Sequence, residues 1–342
     1  MNQDGIVRMG VIGAGRIGKI HTGNLATHIP GVKVTAIADA RLDSARQLAE
    51  KYGIPRVTAD YREILADPEI DAVAICSSTT THPQIVIDAS LARKHIFCEK
   101  PLAADLQALD EALAAVEKGG VKLQVGFNRR FDPNFRKVRD MVAAGRIGEP
   151  QIVRITSRDP EPPSPEFVKT SGGIFLDMTI HDFDMARYLM GRSEVAEVYV
   201  AGAVLVDPRI GEAGDIDTAV TTLQFANGAI ATIDNCRKSS FGYDQRVEVF
   251  GSEGMLQAFN NAPDNVVYSN SAAVSTTKPL YFFLERYAES FLIELREFVE
   301  CVRDDKAPLV SGLDSRMPIV MGMAANRSYR EHRPVRLAEF SR

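Results

Sequence analysis

The feature that most constrains this chain is Gly13-Ala14-Gly15-Arg16-Ile17-Gly18, a G-x-G-x-x-G run directly behind the apolar residues 7–13. An apolar run there reads as a buried strand, and residues 16–28 as the helix it feeds. The first glycine then allows the tight turn, the second lets the backbone approach a pyrophosphate, and the third lets helix pack on strand. The helix N–H groups and dipole would face the phosphates. The motif alone is common. Its weight comes from the second strand, residues 32–39, which ends in an acid about twenty residues on. Asp39 sits where a carboxylate can accept from the adenosine ribose hydroxyls. Gly13, Gly15, Arg16, Ile17, Gly18 and Asp39 are therefore read as dinucleotide-binding. Asp39 favours NAD, because its charge would repel a 2′-phosphate. Arg41 could stack on the adenine or accept that phosphate, which leaves NADP as a secondary cofactor.

The pattern behind the motif keeps alternating. Helices are expected at residues 43–52, 61–66, 83–92 and 105–118, and strands at 56–58, 72–78, 95–100 and 122–127. Near-continuous apolar strands separated by helices mark a parallel sheet covered on both faces. Residues 1–127 are thus expected to form a doubly wound α/β Rossmann domain. The pattern then changes. A helix at 134–144 and a strand at 151–157 lead to an extended loop marked by Pro160, Pro162, Pro163 and Pro165. One helix is expected over 175–190, then strands at 196–206, 219–225, 229–235, 245–251 and 255–259. Asn227-Gly228 signals a two-residue hairpin. Helices return at 284–303 and 313–330, the last with Ser311 as N-cap and Asp314 at N3. Residues 128–342 thus read as an α+β domain for substrate binding and oligomerisation, built on a large, mostly antiparallel open sheet. Its C-terminal helices have the option of packing back on the first domain. Helices would cover one face of the sheet. The other face calls for a partner, so a homo-oligomer is expected.

Bulk properties set limits. A chain of 342 residues exceeds one ordinary core. A net charge of -5, without a Lys/Arg block, argues against a nucleic-acid partner. No apolar run approaches the roughly 20 residues of a membrane span. Met1-Asn2-Gln3-Asp4-Gly5 lacks the basic start of an export signal. Cys76, Cys98, Cys236 and Cys301 lie far apart, and are read as free thiols in the cytoplasm rather than as disulfides or a zinc site.

Ligands of open α/β sheets bind beyond the carboxyl ends of the strands. Two candidate sites lie there. The run Cys76-Ser77-Ser78-Thr79-Thr80-Thr81-His82 offers Ser77, Ser78, Thr79 and His82 to the cofactor near its nicotinamide; a plain strand-to-helix turn is the alternative. Glu99-Lys100-Pro101 follows the next strand. Lys100 could hold and polarise a substrate hydroxyl, with Glu99 and Lys100 also near the cofactor. An ordinary salt bridge explains the pair equally well. In the second half, Asp177 and His181 stand at i and i+4, on one face of the expected helix. Oxidation of an alcohol needs a base for the hydroxyl proton. Histidine suits that role, with a carboxylate to orient its ring. A structural Asp/His contact remains the alternative. A metal site from Asp177, His181 and Asp184 is disfavoured, since three ligands on one short helix converge poorly.

The glycine motif, Glu99-Lys100-Pro101, Gly126-Phe127-Asn128-Arg129-Arg130-Phe131-Asp132 and the Asp177/His181 segment together resemble the glucose–fructose oxidoreductase and inositol dehydrogenase family over nearly the whole chain. Residues 172–187 and Gly242-Tyr243-Asp244-Gln245-Arg246 resemble its bacterial inositol-oxidising branch. The resemblance implies NAD(P)-dependent oxidation of a ring carbinol, myo-inositol to 2-keto-myo-inositol. A pyranose dehydrogenase or a non-catalytic dinucleotide sensor are the alternatives. It implies a catalytic set of Lys100, Asp177 and His181, meeting over one nicotinamide. Substrate contacts are implied for Lys100, Asn128, Arg129, Asp159, Asp177, Met178, His181 and Tyr243. Asn128, Asp159 and Met178 stand where some inositol dehydrogenases carry Met, Asn and Thr. A tetramer associating through the open sheet is also implied.

Overall fold

The computed structural model describes residues 5–191 and 193–340. The export-signal argument on Met1–Asp4 lies outside the described residues. The chain begins β1 (Val7–Ile12), α1 (Arg16–Thr27), β2 (Val32–Ala38), α2 (Leu42–Tyr52), β3 (Arg56–Thr58), α3 (Tyr61–Leu65), β4 (Ala72–Ile75), α4 (His82–Leu91), β5 (His95–Glu99), α5 (Leu106–Gly119) and β6 (Leu123–Gly126). It continues through α6 (Pro133–Ala143), β7 (Pro150–Arg158), α7 (Pro165–Ser171), α8 (Gly173–Asp177), α9 (Ile180–Met190), β8 (Val195–Ala203), α10 (Pro208–Glu212), β9 (Thr218–Phe225), β10 (Ile230–Cys236), β11 (Asp244–Gly251) and β12 (Met255–Ala258). It ends in the hairpin β13 (Val267–Ser269) and β14 (Val274–Thr276), α11 (Phe283–Arg286), α12 (Ala288–Arg303), α13 (Gly312–Glu331) and β15 (Val335–Arg336). These elements fall into two compact units. One holds the chain up to Phe131 together with Glu289–Ile319; the other holds Asp132–Ala288 and the chain from Val320 onward.

The first unit is a parallel sheet in the order β3-β2-β1-β4-β5-β6. The order reverses between β1 and β4, the switch point at which such sheets bind ligands. β4 and β6 are buried along their whole length, and β1 and β5 at all but one residue each, because both faces are covered. Met9, Val11, Ile37 and Phe97 pack in one core with Leu295, Phe298, Val299 and Val302 of α12. Those four α12 residues are spaced as a single apolar helix stripe. Asp105 caps α5 by accepting from Ala108 N at 2.9 Å. Ser311 precedes α13, and its N–H and hydroxyl both donate to Asp314 Oδ2 at 2.8 Å.

The second unit holds a seven-stranded sheet, β12-β11-β7-β10-β9-β8-β15. Its pairs are antiparallel except β10 on β7, which run parallel. Burial alternates along β9, β10 and β11, as a sheet with one packed face requires.

Two local expectations need correction. The β9–β10 hairpin has a three-residue loop, Ala226-Asn227-Gly228, rather than two residues. Phe225 N donates to Ala229 O, Gly228 N donates back to Phe225 O, both at 2.9 Å, and Gly228 takes φ +89°. Glycine supplies the left-handed position such a loop needs. The single helix expected over 175–190 is broken. The N–H groups of both Met178 and Thr179 donate to Ile174 O, at 3.0 and 2.9 Å, and His181 N turns to Met178 O at 3.3 Å. Thr179 is the pin. Its hydroxyl donates to Asn235 Oδ1 at 2.8 Å, and Asn235 Nδ2 donates to Asp182 Oδ2 at 2.8 Å, all of it buried. A buried polar network outweighs helix propensity here. Asp177 therefore ends α8 and His181 lies in the first turn of α9, and the shared-face argument from i, i+4 spacing fails.

Candidate active site

In the glycine turn each glycine has its own reason. Gly13 sits at φ +105°, and a Cβ there would lie 2.6 Å from the Cys76 backbone carbonyl. A Cβ on Gly18 would lie 2.0 Å from Gly13 O, so only glycine lets α1 approach the turn. A Cβ on Gly15 would meet nothing within 4 Å: that edge of the turn is open. The N-cap Gly15 makes no side-chain cap hydrogen bond, and no acid stands in the first turn of α1. This cradle fits a pyrophosphate. Arg16 is exposed, whereas Ile17 leans on the core. Asp39 Oδ2 accepts from Ala14 N at 2.7 Å and Oδ1 from Arg41 N at 2.8 Å. The carboxylate thus ties the glycine turn to the end of β2 and keeps acceptor capacity for a ribose hydroxyl. The Arg41 side chain is exposed.

Because the strands are parallel, the carboxyl ends of β1, β2, β4, β5 and β6 share one edge. That edge collects the glycine turn, Asp39, Ser77–Thr79, Lys100 and, just beyond β6, the buried Asn128 and Arg129. The Ser77 and Thr81 hydroxyls are 2.7 Å apart, and Ser78 is exposed.

His82 and Glu99 do not take the cofactor-facing positions expected of them. His82 is 1% exposed. Its Nδ1 lies 2.9 Å from Pro101 O and its Nε2 3.1 Å from Ser77 O, so the ring staples the β4–α4 loop to the segment after Lys100. Burial favours the neutral ring and lowers its pKa. Glu99 is also buried: Oε1 lies 2.6 Å from His21 Nε2 on α1, and Oε2 accepts from Lys100 N at 3.3 Å. The sequence places Glu99 at a strand end and His82 at a helix start but does not say which way they turn. Lys100 is half-buried, and the Lys100–Pro101 peptide is cis.

Behind Glu99 stands Glu294 of α12, fully buried, its Oε1 4.0 Å from His21 Nε2. Burial, then the nearby Glu99 charge, pushes the Glu294 carboxyl well above its ordinary 4.5. Above that ordinary value the unfolded chain releases this proton while the native state keeps it. The native state then binds more protons, so stability falls as pH rises through that window. Glu294→Gln, which cannot ionise, is expected to raise Tm by a few degrees at neutral pH, with the gain vanishing in acid. Equal Tm shifts at both pH values would show that Glu294 ionisation does not act on folding.

In the second unit β7 and β10 end side by side and β11 starts beside them, Asp244 and Cys236 both pairing with Arg158. Asp159 follows β7, Arg237 follows β10 and Tyr243 precedes β11, so one sheet edge carries all three. Asp159 N donates to Cys236 O at 3.0 Å. Tyr243 packs edge-on against Tyr287, ring centroids 6.0 Å apart. Met178 is buried, and Asp177 and His181 are half-buried. Asp177 Oδ2 accepts from Arg237 Nη1 at 2.9 Å, and Asp159 Oδ2 lies 3.4 Å from the same nitrogen. Arg237 is marked out by no motif. The one available signal was a charged Arg-Lys pair placed directly behind an alternating strand.

Residues 7–127 match the family model described as oxidoreductase family, NAD-binding Rossmann fold, and residues 135–257 match the GFO/IDH/MocA C-terminal domain. The chain is 50% identical to the myo-inositol 2-dehydrogenase of Thermotoga maritima, over 97% of this chain and 99% of that one. It is 43% identical to the inositol 2-dehydrogenase of Rhizobium meliloti over the same shares. A solved structure of scyllo-inositol dehydrogenase from Lactobacillus casei, with bound cofactor NAD(H) and scyllo-inositol, matches with a TM-score of 0.92 at 29% identity, covering 97% of this chain and 99% of that one. With both family models matched in chain order on a parallel sheet and a mixed sheet, the chain belongs to the GFO/IDH/MocA family of oxidoreductases.

Proposed function

We propose that this chain is an NAD-dependent inositol 2-dehydrogenase, oxidising myo-inositol at one ring carbinol to 2-keto-myo-inositol. The observation that carries the reading is the end-to-end match, 50% identical, to a myo-inositol 2-dehydrogenase. The glycine cradle and Asp39 support NAD as the preferred cofactor, and the exposed Arg41 leaves NADP as a weaker one. When bound, that cofactor accepts the hydride. The chain's own groups do the rest. His181 takes the hydroxyl proton, Asp177 orients His181, and the Lys100 ammonium stabilises negative charge developing on the oxygen. Asn128, Arg129, Asp159, Met178 and Tyr243 are assigned to the polyol ring.

NADH absorbance with myo-inositol, scyllo-inositol, glucose and xylose in parallel, each with NAD and with NADP, tests this reading. Fastest turnover is expected for an inositol with NAD. Faster oxidation of a pyranose moves the chain to a sugar dehydrogenase, and no turnover at all leaves a dinucleotide-binding sensor.

The same reading includes a cytoplasmic homo-oligomer, a tetramer being favoured. Support comes from the exposed Tyr199, Val220, Ile230 and Phe250 on the strands of the second sheet. Light scattering at the mass of a single chain would overturn it. No helix of the described residues is long and apolar enough to cross a membrane.

A further inference from the structure

Three aspartates surround one buried guanidinium in the second unit. Arg237 is 3% exposed and shares Nη1 between Asp177 at 2.9 Å and Asp159 at 3.4 Å. Asp215 is the third acid acting on it. Its carboxylate lies under the start of α8, where a Cβ on Gly173 would come within 2.9 Å of Asp215 Oδ1. Burial raises the Asp215 pKa, against the pull of the Ile174 and Ile216 N–H groups and of Arg237. Asp217 accepts the Arg237 N–H through its backbone oxygen at 2.8 Å, but spends its carboxylate on Leu205, Val206 and Asp207 N–H groups. Lys238, next along the chain, is exposed, and His181 lies in the first turn of α9. Arg237 Nε and Nη2 meet no acceptor among the described residues. Removing a cation with two unused donors from water is costly, and an apolar side chain would fill the same space at lower cost. The cation is kept where it joins three separate pieces of backbone: the end of β7, the end of β10 and the end of α8.

We propose that Arg237 is a positioning residue for polyol oxidation. By sharing one nitrogen between Asp159 and Asp177, it holds the two carboxylates side by side as acceptors for hydroxyls on adjacent ring carbons. This rests on the reading of the chain as a polyol dehydrogenase in which Asp177, besides orienting His181, contacts the substrate. Without the guanidinium the two carboxylates repel, and that repulsion favours uptake of a proton by the pair. The polyol step then becomes sensitive to acid, and the cofactor step does not.

The test uses the full chain as Arg237→Gln, as Arg237→Lys, and as Arg237→Gln combined with Asp159→Asn. The kcat/KM for myo-inositol is followed against pH, beside NAD affinity from fluorescence titration. Arg237→Gln is expected to lose about a hundredfold in kcat/KM, with NAD affinity unchanged and the acid limb of the profile moved up by about one pH unit. Arg237→Lys should recover part of the rate. The double variant, which removes one repelling charge, should return the acid limb to its wild-type place while the rate stays low. An unmoved acid limb in Arg237→Gln overturns the proposal, as does a rate loss in all three variants that tracks a parallel loss of NAD affinity. If the wild-type chain oxidises none of the polyols, the functional reading falls and takes this proposal with it. If the wild type is active and the limb is unmoved, only the role of Arg237 falls.

Discussion

His181→Ala is expected to lower kcat by about 10²–10⁴-fold, the usual loss when a positioned acid/base group is removed. Hydride cannot leave a carbinol carbon without the hydroxyl proton leaving too, and water is a poor base for it. Histidine changes charge near neutral pH, so it can take the proton and pass it on. The half-buried position of His181 at the start of α9 suits a group that must meet both substrate and solvent. The glycine cradle is built from other segments of the chain, so NAD affinity should be unchanged. Steady-state kcat read beside NAD fluorescence titration separates the two steps, and added imidazole should restore part of the lost rate. Near-normal turnover in the variant would remove His181 from the role of base.

The second large effect is expected from Gly18→Ala. The new Cβ would sit 2.0 Å from Gly13 O and 2.9 Å from Gly13 C. Both are backbone atoms of the tight turn, so no side chain can swing away. Either α1 shifts off β1 or the turn opens. Overpacking of this kind costs about 1–3 kcal/mol. If the whole cost falls on the cradle, NAD affinity drops about 5- to 150-fold. Tm should fall with it. Gly15→Ala is the instructive contrast. Its Cβ meets nothing within the chain, so Tm should hold while NAD affinity falls, because the added methyl stands only in the way of a pyrophosphate. A wild-type Tm in Gly18→Ala would mean the turn gives way freely, and the tight-packing account would fail.

How much of this could be seen in the residues varies by region. In the first unit the strands are nearly continuous apolar runs, and glycines sit where backbone must approach backbone. Local pattern and tertiary demand agree there, so the order of strands and helices and the dinucleotide cradle are both plain. In the second unit the alternating strands are equally clear, but the devices around the candidate site are not. Thr179 looks like an ordinary helical residue until Asn235, far along the chain, takes its hydroxyl. Asp177 is set near His181 by spacing, but nothing local shows that its carboxylate is also held by Arg237, sixty residues on. His82 opens α4 and Glu99 ends β5, and both turn inward, because the interior supplies carbonyl oxygens and His21 for their polar atoms.

Taken alone, the sequence determined most element types, the parallel sheet and the mostly antiparallel one, the glycine cradle with Asp39, and the strand end that carries Lys100. These follow from period, turn chemistry and near-neighbour spacing, which are local properties. Only the tertiary structure decided which polar side chains face inward, where the helix before Met190 breaks, and that Arg237 clasps Asp159 and Asp177. Buried hydrogen bonds and charge pairs form between residues far apart in the chain, and no local period encodes the identity of a distant partner.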